Sequence, residues 1–125
     1  MRRLLGGLAL IFLVTTVPCC RADMTVKTYL DSNKKAELRG VNGVYLSGVG
    51  QGLGWANSWL KNQGHLPMFC QPDSLPLDGN TYLHMVDRQI ERLQPRMSKT
   101  ELNQLPVAML LQQALIESFP CQPAP

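Results

Sequence analysis

The apolar positions of this chain recur with a helical step rather than an alternating one. Between Asn80 and Leu93, the residues Leu83, Val86, Ile90 and Leu93 are spaced by three, four and three, which puts them on one side of a helix. Asp78 or Asn80 can cap its start, and Pro95 ends it. Ser98 with Glu101 three residues later is the sequence of a capping box, and it opens a short helix that stops near Gln104. Pro106 suits the first position of another helix, whose buried face is Val107, Leu110, Leu111, Ala114 and Leu115 and whose end is near Ser118. Upstream, Asp23 to Leu30 reads as a short first helix or an ordered lead-in, with Ser32 or Asn33 as a cap for the next element. From Lys34 to Leu60 a three-to-four residue step links Val41, Val44 or Tyr45, Gly48, Gly52, Ala56 and Trp59 or Leu60. Gly64 is placed to end this long helix, and Pro67 blocks its continuation. Leu66 to Gly79 is a loop carrying Cys70, Pro72 and Pro76. Strand signals are weak and do not pair. The pattern predicts an all-α fold, a small single-domain bundle of four to five helices.

The glycines of the long helix raise a question of chemistry. Gly48, Gly50, Gly52 and Gly54 fall on every second residue. A dinucleotide-binding turn needs G-x-G-x-x-G after a strand, but the sixth position is Leu53 counted from Gly48 and Trp55 counted from Gly50. A G-x-x-x-x-G-K-[ST] loop is also absent. Spacing by four is more informative, because Gly48 and Gly52 share one helix face and would let a neighbouring helix approach closely. Trp55 and Trp59, also four apart, would seal the same helix against the core. Each glycine costs a helix about 1 kcal/mol relative to alanine, so packing must compensate. The alternative is a break near Gly50 to Gly54 that leaves two shorter helices.

Charge and cysteine content change meaning once the N-terminus is set apart. Arg2 and Arg3 precede a mostly apolar run from Leu4 to Val17, followed by Pro18, Cys19, Cys20, Arg21 and Ala22. That is the order of a secretory signal peptide, shorter than the roughly 20 residues a bilayer span requires. Residues 1–22 are therefore expected to be removed after Ala22, leaving a helical domain over 23–125 in the periplasm; a lipoprotein anchored through Cys19 or Cys20 is the alternative. Taking Arg2, Arg3 and Arg21 from the twelve basic residues leaves nine against nine acidic ones, a formal net charge of zero. A neutral domain lacks the basic footprint of a nucleic-acid binder. Cys70 and Cys121 remain, an even pair that reads as one disulfide in an oxidising compartment; two buried free thiols are the other reading.

Candidate catalytic groups are sparse. His65 and His84 are the only histidines, one in a loop and one at the edge of an apolar stripe. No H-E-x-x-H or C-x-x-C spacing supports a metal site, and no serine lies in a G-x-S-x-G context. Asp87 and Glu91 alternate with Arg88 and Arg92, the pattern of a solvated helix face. The sequence thus points to a binding protein with no cofactor, no metal and no small-molecule substrate, rather than to an enzyme. The stretch "QPDSLPLDGN", Gln71 to Asn80, is the candidate contact surface: Cys70 holds one end, two prolines stiffen it, and a pre-organised loop loses less entropy on binding. Asp73, Leu75, Asp78 and Asn80 are its nominated contact residues. Glycine-lined helices with exposed apolar positions would also permit a homodimer.

Three stretches carry a resemblance: "YLSGVG" from Tyr45, "FCQP" from Phe69, and "PVAMLLQQALIESFPC" ending at Cys121. In order and spacing they resemble the Rap/Tai family of immunity proteins, small secreted helical proteins that protect the cell wall from peptidoglycan amidase toxins delivered by type VI secretion. The likeness covers about Tyr29 to Cys121, and its most specific part is the Phe-Cys-x-Pro stretch with the terminal Phe-Pro-Cys. It implies a helical fold, a secreted cell-wall amidase as protein partner, and inhibition by occlusion of the amidase cleft. One departure is plain: many members carry a cysteine three residues before the tyrosine of the first stretch, paired with one upstream, and here that position is Asn42. A periplasmic chaperone or stress-type protein, or an envelope assembly factor, is the alternative function.

Overall fold

The computed structural model describes residues 23–121; the expected signal peptide and the residues after Cys121 lie outside them. Five helices follow in order: α1 (Val26–Asn33), α2 (Ala36–Asn62), α3 (Gly79–Leu93), α4 (Lys99–Gln104) and α5 (Val107–Ser118). The all-α expectation holds, with one disulfide joining Cys70 to Cys121. Among the described residues, no helix is long and apolar enough to cross a membrane.

Local chemistry sets the helix limits. Thr25 caps α1 by accepting the Thr28 amide, Asp78 caps α3 by accepting that of Thr81, and Ser98 with Glu101 forms the complete capping box of α4. At the end of α2, Gly64 adopts a left-handed φ of 74°. The amide of His65 then reaches the carbonyl of Leu60 at 2.9 Å, and that of Gly64 reaches Lys61 at 3.0 Å, the paired bonds of a Schellman ending. The start of α2 differs from expectation. Its N-cap is Lys35, which makes no side-chain cap bond. Ser32 instead donates to the carbonyl of Tyr29, and Asn33 accepts from Asn42.

The core is built on α3 and α5, with α1, α4 and the middle of α2 packed around them. Leu83, Val86 and Ile90 of the predicted stripe are buried, with Leu93 half-buried beside them. All five residues predicted for the buried face of α5 are in the core. At 0.8 kcal/mol or so per buried methylene, these two faces are the main apolar source of stability. A short antiparallel bridge between Thr25 and Pro106 ties the lead-in to the α4–α5 junction: Val26 donates to Leu105 and Val107 to Met24. Tyr29 is fully buried, and its hydroxyl donates to Asp87 at 2.7 Å. Arg39 also donates to Asp87. Asp87 therefore joins three helices and is not part of the solvated face expected for it. Burial, followed by the bond to Asp87, pushes the Tyr29 phenol well above its ordinary value.

The packing face of α2 is a correction. The helix is continuous from Ala36 to Asn62, with no break at its glycines. Its buried residues are Asn42, Gly43, Leu46, Gly50 and Asn57, roughly opposite the expected stripe. A Cβ on Gly48 or Gly52 would meet nothing within 4 Å, and Trp55 and Trp59 are largely exposed. None of these four packs within the bundle. The close approach falls on other glycines. A Cβ on Gly50 would lie 2.7 Å from the Tyr82 hydroxyl, and one on Gly79 would lie 2.8 Å from the carbonyl oxygen of Gly43. The physical reason is that the inward stripe of α2 begins and ends on hydrogen-bonding asparagines and is hollow at its glycines. Its mean apolarity therefore does not exceed that of the outward face.

Candidate functional site

The loop from Gly64 to Asp78 joins α2 to α3 and is the only long connection among the described helices. Three anchors hold it. The first is Asn57, buried on α2: its side-chain amide donates to the Phe69 carbonyl at 2.6 Å and its oxygen accepts the Met68 amide at 2.6 Å. The second is the covalent link from Cys70 to Cys121, 51 residues away with Cα atoms 4.9 Å apart. Backbone pairing supports it, since the Cys70 amide donates to the carbonyl of Phe119 at 2.8 Å. Phe69 is buried between these two fastenings. The third is Asp78, whose carboxylate accepts both the amide and the hydroxyl of Thr81.

Between the anchors the chain is exposed but ordered by its own bonds. The Leu75 amide closes a turn on the Pro72 carbonyl at 3.0 Å, and the Gln71 side chain donates to the Leu75 carbonyl at 2.6 Å. Leu77 turns back onto the core. The first half of the loop and the last turns of α2 enclose an open cleft of about 490 Å³, lined by Ser58 and Lys61 on one side and Gln71 and Asp73 on the other. Lys61 and Asp73 give it one charge of each sign, and its walls carry hydrogen-bonding groups suited to a polar partner.

The nominated contact residues divide between two roles. Asp73 and Leu75 stand on the exposed part of the loop. Asp78 and Asn80 are exposed too, but the Asp78 carboxylate is occupied in capping α3. The Thr81 backbone amide, then its hydroxyl, hold the Asp78 carboxyl below the ordinary carboxylate range. A variant lacking Asp78 would therefore lose stability, not only a contact. Sequence reasoning missed Asn57, the clamp beneath the loop; an asparagine eleven residues before Met68 carries no local signature. His84 is exposed on α3 and His65 lies in the loop. Among the described residues, no three His, Cys, Asp or Glu side chains gather as metal ligands.

No protein-family model, curated protein or solved structure matches this chain.

Proposed function

We propose that this protein is a periplasmic immunity protein of the Rap/Tai kind, which binds a secreted peptidoglycan amidase and occludes its active-site cleft. The observation that carries the reading is the loop over residues 66–78: exposed from Pro72 to Pro76, yet fastened at Asn57, at Cys70–Cys121 and at the Asp78 cap. An inhibitor that blocks a cleft gains affinity from such rigidity, because little loop entropy remains to be lost on docking. The placement of the disulfide also supports it, since the bond joins the two stretches, "FCQP" and "FPC", on which the resemblance rests. Asn42 accounts for the departure from the family pattern. Its amide donates to Ser32 and to Asn33, each at 2.7 Å, so hydrogen bonds join α1 to α2 at a position where many family members carry a cysteine paired upstream.

The test is co-expression in the periplasm with a secreted cell-wall amidase, scored by survival, with calorimetric titration of the purified pair. Rescue and a stoichiometric complex are expected, and Asp73→Ala with Leu75→Ala should weaken binding at least tenfold while the melting temperature stays unchanged. A variant that binds as tightly as the parent would remove the loop from the contact surface. Failure to protect against any such amidase would remove the immunity reading.

A further inference from the structure

The seam between α3 and α5 opens, at the end where α4 meets α5, into a groove of about 350 Å³. Its floor is apolar: Leu93 of α3, Met97 and Leu105 of the two connections, and Met109 and Leu110 of α5. Leu110 is buried and Met109 is 44% exposed, so apolar surface runs from the core out to solvent. Polar groups gather at the other end. There Gln89, at 2.8 Å, and Arg92 donate to one oxygen of the Glu117 carboxylate, and Gln113 donates to the other at 3.0 Å.

The charge of this surface is one-sided. Arg88, Arg92 and Arg96 follow at intervals of four along α3 and the turn after it, the spacing of one helix face. Arg92 and Arg96 line the groove, and Arg88 lines a smaller adjoining hollow that shares Gln89, Arg92 and Glu117 with it. Among the described residues, Glu117 is the one acidic side chain lining either. It is paired with Arg92, whereas Arg88 and Arg96 form no ion pair among the described residues.

We propose that this groove binds a single-chain anionic amphiphile, one acyl chain ending in a carboxylate, with its head at Arg92 and Arg96 and its tail along the methionine-lined floor. Charge complementarity selects the head. Arg92 already holds a carboxylate, and Arg96, one turn further on, lacks one; guanidinium groups bind carboxylates through paired N–H donors. The floor selects the tail, because a purely polar anion would leave its apolar side chains in water and an acyl chain covers them. Unbranched methionines adapt their shape to such a chain. Size selects one chain rather than two, since the groove lies at the lower end of small-molecule sites, about 300–1,000 Å³. Glu117 limits the affinity, because its charge competes for Arg92 and repels the incoming head. This inference does not depend on the immunity reading, and the groove takes no residue from the loop over 66–78.

Calorimetric titration of the purified protein with octanoate, decanoate and dodecanoate, each below its micelle-forming concentration, tests the site. One ligand should bind per chain. Each added methylene should lower Kd by a factor of about two to four, the upper value being that of full methylene burial. Decanol, with the same length of tail and no charge, should bind about tenfold more weakly than decanoate. Arg96→Ala should weaken decanoate by about tenfold and leave decanol unchanged. Glu117→Gln, which relieves Arg92 of its competing charge, should tighten decanoate binding. Met109→Glu, at an exposed position, should abolish it without lowering the melting temperature. Methyl resonances locate the ligand: those of Met97 and Met109 should shift on titration, and that of Met68, which lies against Gln112 outside the groove, should not. Affinity independent of chain length, decanoate binding indifferent to Arg96→Ala and Met109→Glu, or equal shifts at Met68 would overturn the proposal. So would binding to phosphatidylglycerol vesicles with none to decanoate, which would give the arginine stripe to a membrane surface.

Discussion

Two neighbouring glycines of α2 stand in opposite surroundings. Gly50 is there because the Tyr82 ring occupies the space a side chain would need. Gly48 has no such neighbour. Gly50→Ala should therefore cost about 1–3 kcal/mol through overpacking against a buried ring. Gly48→Ala should stabilise the fold by about 0.5–1 kcal/mol through helix propensity alone. Urea unfolding of dilute samples separates the two by sign. The same contrast explains what the sequence concealed: glycine spacing announces a close approach but not which glycine makes it, and that is decided by Tyr82, more than thirty residues away. Asn57 is a second such case. Replacing it with alanine would leave the Phe69 carbonyl and the Met68 amide unpaired beneath the loop. A loss of about 2 kcal/mol is expected, with faster amide exchange at Met68 and Phe69 than in the parent.

The helices were unequally legible for a physical reason. α3 and α5 bury faces made mainly of aliphatic residues, so three-to-four spacing alone identifies Leu83, Val86, Ile90 and the five core residues of α5. α2 buries Asn42 and Asn57 and exposes Trp55 and Trp59, which inverts the relation between apolarity and burial on which such reading depends. Its Gly64 ending was still plain, because local backbone chemistry sets it, but its continuity was not, since a break near Gly50 to Gly54 stood as the alternative. Helix ends also set the response to acid. In the folded chain the Asp78 carboxyl is held low by Thr81, that of Glu101 by Ser98, that of Glu117 by Gln113 and Gln89, and that of Asp31, down to about 2, by Lys27 and Lys34. A folded-state value below the unfolded one stabilises the fold above about pH 4 and loses that effect as pH falls through the folded-state value. The melting temperature should thus be insensitive to these groups from neutral pH to about pH 5 and should drop below about pH 4. Asp78→Ala should lower it at neutral pH and flatten the acid limb. An acid limb unchanged in that variant would mean that the cap contributes nothing.

Across the molecule, stability and the proposed function meet at the disulfide. Closing a loop across the 51 residues from Cys70 to Cys121 restricts the unfolded chain enough to stabilise the fold by about 4 kcal/mol in the chain-entropy model. Cys70→Ser with Cys121→Ser should lose most of that in urea unfolding and weaken the hold on the loop. The bond also supports the role proposed for the loop, because it fixes an exposed segment to the end of α5 without burying it. The account turns on that segment being formed before any partner arrives. Amide hydrogen exchange of the unliganded, oxidised protein tests this directly, at Met68 and Cys70, whose amides are held by Asn57 and Phe119. Protection there approaching that of the α3 core amides is the result expected. Exchange at the rate of an unstructured chain would mean that the loop is not pre-organised, and the binding surface proposed for it would have no physical basis.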